Sequence, residues 1–312
     1  ASVRMFRAAA DEALLADSLA RLDHMAAFGT GTVEVKTGYA LDPEQELRAL
    51  RLIAALGERH ATTIVPTYLG AHEVPDEYRA APDAYVDLLV ERMIPEAAAL
   101  GIARFGDVFC ERGVFSIAQS RRILQAARAQ GLGLKLHADE IEPLGGAELA
   151  AELGAVSADH LARVSDAGIA ALAAAGVVAV LLPGTLFSLR APAYAPARRM
   201  IDAGVAVALA TDCNPGSSMT DSMPWVIALA CLQMGMSPAE AIVGATYNAA
   251  AALGMEGERG SLAPGRRADV QILAAPSYAR LPYHVGSSDL RDLILGGRPL
   301  IRGARPQPLR RG

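Results

Sequence analysis

Short apolar runs rich in Val, Ile and Leu alternate along this chain with longer Ala/Leu/Arg segments of helical period. That alternation is what βα units around a parallel sheet produce. Seven runs read as strands: TVEVKTG at 32–38, TIVPTYLG at 63–70, FGDVFC at 105–110, LGLKLHA at 132–138, SADHL at 157–161, VVAVLLPG at 177–184 and VAVALATD at 205–212. Between them PEQELRALRLIAALGERH, DAYVDLLVERMIPEAAAL, SIAQSRRILQAARAQG, GGAELAAELG and SDAGIAALAAAG predict helices. Each connection is long enough for the right-handed crossover that parallel neighbours need.

A (β/α)8 barrel closes with one strand more than these seven. The chain opens without Met and almost directly in a helical pattern, ASVRMFRAAADEALLADSLARL, so the remaining strand is expected upstream of Ala1. An open seven-stranded sheet is the alternative. After Asp212 two further helices are expected in the stretch 221–255, with Ser237 capping ahead of Pro238 at the first helical position. GSLAPGRRADVQILAAP and DLRDLILGGRPLIRG then alternate and turn like strands of a small β layer. The expected organisation is α/β: a TIM-barrel domain over 1–258, incomplete at its N-terminus, and over 259–312 the C-terminal strands of a composite β-sandwich.

Composition narrows the class. Hydrophobic residues make up 52% of the 312 and charged residues 20%, with a net charge of −5, which argues for a compact body and against a partner such as nucleic acid. Cys110, Cys213 and Cys231 are far apart and form no CxxC pair, so neither a disulfide framework nor a thiolate zinc site is indicated. No apolar run reaches the roughly 18–20 residues that span a bilayer, and the start lacks a signal pattern. A cytoplasmic enzyme acting on a small molecule, without membrane contact, is expected.

Polar residues collect where the strand candidates end: Lys36 and Tyr39, His72, Glu111, His137 with Glu140, His160, and Asp212 with Asn214. In barrel enzymes that end holds the active site. A lone His137 would read as a core histidine, and a lone Asp212 as a turn residue of Asp-x-Asn-Pro-Gly. Together, an imidazole and a carboxylate from two strand ends suit a divalent metal with nitrogen and oxygen ligands. His160 is placed to orient a nucleophilic water, and Glu140 to act as base or hold a substrate N–H. Lys36 reads as a buried charge partner or as a carbamylated lysine, and His24, His60 and His284 as structural or surface residues.

The segments VEVKTGYALDPEQELR, PTYLGAHEVPDEY, LKLHADEIEPLGGAELAAELGAVSADHL, LLPGTLFSL, ATDCNPGSS with DSMP, and SPAEAIVGATYNAAAALG with GSLAPGRRADV span nearly the whole chain. They resemble the metal-dependent amidohydrolases and, within them, the imidazolonepropionase family of histidine breakdown. The resemblance implies hydrolytic ring opening of 4-imidazolone-5-propanoate to N-formimino-L-glutamate, one Zn or Fe ion, and a homodimer. It implies His137 and Asp212 as metal ligands, and His160, Glu140 and Asp212 as catalytic groups. Tyr39, His72, Glu140, Asn214, Gly216 and Ser217 would contact substrate. The family pattern also has a His-x-His pair ending the first strand and a substrate-binding Arg soon after. No His-x-His occurs among the six histidines here. The residues themselves leave open another amidohydrolase, such as a deaminase or cyclic amidase, or a metal-free binding protein.

Overall fold

A computed structural model describes residues 2–303; Ala1 and 304–312, the end of the expected C-terminal portion, lie outside the described residues. Seven strands form one parallel sheet in chain order: β1 (Thr32–Lys36), β2 (Thr63–Ala71), β3 (Phe105–Cys110), β4 (Gly133–Ala138), β5 (Ser157–His160), β6 (Val178–Leu181) and β7 (Val207–Leu209). Their register runs from Thr32 opposite Thr63 to Leu181 opposite Leu209. The sheet curls as an open barrel with β1 and β7 as its edges.

Several helices start where a side chain satisfies one of their first N–H groups. Asp42 accepts from the Gln45 N–H at 3.0 Å ahead of Pro43 and the helix Pro43–Arg59. Ser116 and Ser237 close capping boxes with Gln119 and Glu240, so the expected cap at Ser237 is present.

Several boundaries differ from expectation, each for a local reason. The run 83–100 is not one helix, because a π-helical turn at Leu89–Met93 separates Pro82–Leu88 from Ile94–Ala99. Pro95 lacks an N–H and its ring crowds the carbonyl four residues back, which the wider turn relieves. The stretch 221–255 holds three helices, Met223–Met234, Pro238–Ala245 and Tyr247–Ala251, since Thr246 leaves helical dihedrals at φ −127° and ψ −83°. The last two strands are shorter than their apolar runs. Pro183 opens a short helix after β6, and Asp212 lies three residues beyond β7.

Strand period places alternate residues on opposite faces. Val108, Leu134, Leu136, Ala158, Ala179 and Leu181 face the surrounding helices and join the main core. The opposite face is divided. On β6 and β7 it presents Val178, Val180 and Ala208, which pack against Ala252. On β1, β3, β4 and β5 it presents Glu34, Lys36, Asp107, Lys135, His137 and Asp159. The N-terminal ends of β1 and β2 are joined by Arg259, which donates to Thr32 Oγ1 at 3.0 Å and Thr63 Oγ1 at 2.9 Å.

A second sheet, antiparallel and ordered β10-β9-β8, comprises β8 (Val270–Leu273), β9 (Leu290–Leu295) and β10 (Arg298–Ile301). Of the long run 260–276 only Val270–Leu273 is strand. Leu290, Leu293 and Leu295 pack on Ala26 at the end of the helix Asp11–Ala27. Among the described residues no helix is long and apolar enough to cross a membrane.

Candidate active site

The inside of the curled sheet encloses a cavity of about 990 Å³ whose wall includes Tyr39, His72, His137, Glu140, His160, Asp212, Asn214 and Ser217. A parallel sheet in chain order carries every strand's C-terminal end to the same rim, and these residues come from five such ends. Four rings cross the cavity in series. Tyr39 meets His72 at 5.2 Å between centroids, His72 meets His137 at 6.2 Å, and His137 meets His160 at 5.2 Å.

His137 is held from behind. Its Nδ1 lies 3.1 Å from both carboxylate oxygens of Asp107, leaving Nε2 as the ring nitrogen without a partner among the described residues. Burial alone would lower the His137 pKa, but the Asp107 carboxylate outweighs it and raises it. His160 ends β5 with φ +74°, and Leu161 follows at +56°. This reversal turns the imidazole toward Glu140, whose Oε1 is 3.5 Å from His160 Nδ1. His72 Nδ1 lies 2.9 Å from the Gly38 carbonyl, and burial together with His137 pushes its pKa down. Burial, with Asp212 nearby, pushes the Tyr39 phenol up to about 12.

Glu140 sits on a loop shaped by two buried carboxylates. Asp139, at φ +49°, accepts from the N–H groups of Gly145, Gly146 and Ala147 at 2.9, 3.1 and 2.9 Å. Glu111 accepts from Arg112 at 2.8 Å and Ile141 at 2.9 Å. A Cβ on Gly146 would stand 2.8 Å from the Ala138 Cβ, so only glycine lets this loop close on β4. Asp139→Ala strands three N–H groups, and its urea midpoint should drop by an amount equivalent to about 1–3 kcal/mol with an unchanged m-value.

Asp212 has φ +50° and accepts from Thr185 Oγ1 at 2.5 Å. Asn214 closes the next turn, donating to the Asp212 carbonyl at 2.8 Å while its Oδ1 accepts from Gly216 and Ser217 N–H, each at 2.8 Å. Gly216 is exposed and lies off the cavity wall. The backbone N–H groups of Gly216 and Ser217 thus serve an Asx turn.

Beyond Lys36, expected as a charge partner, the sequence pattern did not reveal the charged layer beneath the rim. Lys36 Nζ donates to Asp107 Oδ2 and Asp159 Oδ2, each at 2.6 Å. Lys135, fully buried, donates to Ser157 Oγ at 3.0 Å and pairs with Glu34 at 3.3 Å. The chain's only two lysines are both spent here against three carboxylates, with His137 on Asp107 as a third partner. Lys36 is therefore a charge partner, itself half-buried, of two buried carboxylates. Burial would lower its pKa, but Asp107, Asp159 and Glu34 together hold it well above the ordinary lysine value. Burial likewise opposes ionisation of Asp107, yet His137 and Lys36 hold its carboxyl far below the usual range, and Lys36 with Lys135 lowers that of Asp159. The available signal was a carboxylate inside each apolar run, FGDVFC and SADHL, since a buried charge must be paired or bind a metal.

Asp107, His137 and Asp159 also offer ligand atoms within 4.8 Å of one another. The Lys36 ammonium already bridges both carboxylates, so a cation placed among the three would have to displace it. The free Nε2 of His137, with its Nδ1 on a carboxylate, is the arrangement of a metal-binding histidine, and Asp212 adds a carboxylate on the same cavity.

Residues 66–299 match the Amidohydrolase family. The chain is 55% identical over 301 residues to an imidazolonepropionase of Symbiobacterium thermophilum, covering 96% of this chain and 71% of that one. To an imidazolonepropionase of Geobacillus kaustophilus it is 52% identical over 305 residues, covering 98% and 72%. Solved structures share the fold at lower identity. An adenosine deaminase from Xanthomonas campestris with bound zinc superposes with a TM-score of 0.69 at 18% identity, over 97% of this chain and 73% of that one. N-isopropylammelide isopropylaminohydrolase from Burkholderia multivorans gives 0.72 at 21%, over 96% and 78%. With half of its residues shared across nearly its whole length, and the same open parallel sheet bearing His137, His160 and Asp212 on one rim, the chain belongs to the amidohydrolase family and within it to the imidazolonepropionases.

Proposed function

We propose that the protein opens 4-imidazolone-5-propanoate by hydrolysis to N-formimino-L-glutamate. The carrying observation is the convergence of His137, the His160–Glu140 pair and Asp212 on one cavity, in a chain so close to imidazolonepropionases. The reaction adds water to the ring carbonyl carbon, breaks the adjacent C–N bond and returns a proton to the ring nitrogen. Asp212 and His160 carry that proton, and Glu140 holds the ring N–H. Tyr39, protonated at physiological pH because its pKa stands near 12, donates a hydrogen bond to the substrate. His72, its pKa lowered, stays uncharged beside it. Asn214 keeps the Gly216–Ser217 turn in place at the mouth.

One Zn or Fe ion fits this reading, held by His137 and Asp212, whose imidazole and carboxylate both metals accept. Held there by His137 and Asp212, such an ion would supply Lewis acidity for the ring carbonyl and for a water whose pKa it would bring to about 7. A catalytic zinc ordinarily has three protein ligands, so further ligands beyond this pair belong to the same reading. A homodimer in the cytoplasm accompanies it.

The test is turnover of 4-imidazolone-5-propanoate, followed as loss of its ultraviolet absorbance and gain of N-formimino-L-glutamate, with metal content measured on the same sample. Ring opening that disappears on chelation and returns with Zn or Fe is the expected result. Ammonia release from an amino-substituted ring without ring opening would move the protein to the deaminases. Tight metal binding with neither reaction would make it a binding protein.

A further inference from the structure

Glu46 is a buried carboxylate, 1% exposed, held among the described residues by backbone N–H groups and no ion pair. It lies in the first turn of the helix Pro43–Arg59, and its oxygens point back at the loop joining β1 to that helix. Oε1 accepts from the N–H groups of Gly38, Ala40 and Leu41 at 3.2, 2.9 and 2.9 Å, and Oε2 accepts from Gly38 at 3.2 Å. The loop could not hold this shape by propensity. Gly38 has φ +104°, with the Leu69 carbonyl 2.7 Å from where a Cβ would stand, and Leu41 has φ +53°. Leucine is strained in the left-handed region, and burial raises the pKa of Glu46 against its ionised form. Such costs persist only where the surroundings over-determine the conformation, and they cluster at functional sites.

The carbonyls of the same loop are held from the other side. Arg7 donates through Nε to the Ala40 carbonyl at 2.7 Å and through Nη2 to Leu41 at 3.1 Å, while Nη1 reaches Glu77 Oε1 at 2.6 Å. Glu77 belongs to the loop that follows β2 and carries His72. That histidine closes the circuit by bonding the Gly38 carbonyl. Tyr39 is the one residue of the stretch 38–41 on the cavity wall.

We propose that Glu46 and Arg7 form a two-sided clamp that sets Tyr39 and His72 as one substrate-contacting unit, making both positioning residues for substrate affinity. The proposal rests on the functional reading above. It predicts that the clamp acts through Tyr39 and not through general stability. Glu46→Gln keeps the shape and an acceptor at Oε1, but it removes the charge from all three bonds and turns an NH2 group toward the Gly38 N–H that Oε2 accepts from. Its KM should rise roughly tenfold with kcat within about twofold, the equivalent of one lost hydrogen bond or slightly more. Arg7→Met, which leaves no buried charge stranded, should raise KM by a smaller factor. In a Tyr39→Ala background, Glu46→Gln should raise KM by a clearly smaller factor, because a shared unit is non-additive and only its His72 arm remains.

Amide hydrogen exchange at Gly38, Ala40 and Leu41 reads the clamp without any turnover, and exchange there should accelerate in Glu46→Gln while the core strands stay protected. An equal KM effect with and without Tyr39, or a fall in kcat alone, overturns positioning in favour of a merely structural role. Unchanged exchange overturns the clamp itself. Failure of the unmodified full chain to open the ring would overturn the functional reading, and the exchange result would then decide the clamp by itself.

Discussion

His137→Ala in the full chain abolishes ring opening, with kcat/KM falling at least about a thousandfold, or about 4 kcal/mol of transition-state stabilisation. The expectation follows from how the imidazole is held. Asp107 fixes Nδ1 at 3.1 Å, so the side chain has one orientation and presents Nε2 for a ligand role. Alanine removes that nitrogen and leaves Tyr39 and His72, the proposed substrate contacts, in place. Asp107 keeps its bond to Lys36 at 2.6 Å, so no charge is orphaned and the loss should be in chemistry and metal content, with folding retained. Far-UV circular dichroism, bound metal per chain and initial rates on one preparation check all three. Turnover equal to the unmodified protein would remove His137 from the site. Asp212→Ala should behave alike, although its loop also loses the bond from Thr185.

The largest effect on stability is expected from Lys36→Met. Lys36 is the cation between two buried carboxylates, and removing one partner of a buried ionic group leaves uncompensated charge, costing about 3–5 kcal/mol. A site so close to the rim also loses the layer that supports His137, so activity falls with it. Burial opposes the charge on all three groups, but mutual attraction wins, so Lys36 titrates above and Asp107 and Asp159 below their ordinary ranges. The aspartates' contribution is complete above about pH 4, the unfolded value, and is lost as pH falls through their lowered native values. The lysine's contribution is complete below about pH 10 and is lost as pH rises through its raised native value. In Lys36→Met the two facing carboxylates repel and take up a proton more readily. The stability gap to the unmodified protein, from urea unfolding at several pH values, should be widest near neutrality and narrow on acidification. A gap that is absent at pH 7 would show that the carboxylates find another partner.

The strands were legible because their signal is local. Val, Ile and Leu in runs bounded by Gly, Pro and Asp mark a strand whatever its neighbours are, and all seven lie within or close to the expected segments. Their ends were less legible, since the last residues of an apolar run are strand only if a neighbour pairs with them. At 205–212 the pairing stops at Leu209, and Asp212 is left on a loop at positive φ. Helix starts such as Ser237 were legible for the same local reason, whereas the π-helical turn before Pro95 required knowing that the chain would continue as helix on both sides.

His137, Glu140, His160 and Asp212 could be grouped in advance because parallel topology carries all C-terminal strand ends to one rim. The resemblance to imidazolonepropionases pointed to the same residues. The sequence by itself therefore determined the fold class, the rim and the chemistry gathered there. Only the tertiary structure decided what stands behind that rim. Lys36 finds Asp107 and Asp159 across 71 and 123 positions, and Arg7 reaches Ala40 and Glu77 across 33 and 70. A charge in the middle of an apolar run announces that it needs a partner, because burial makes an unpaired charge costly. Which residue answers depends on strand register and loop path, and these are set by the packing of the whole sheet.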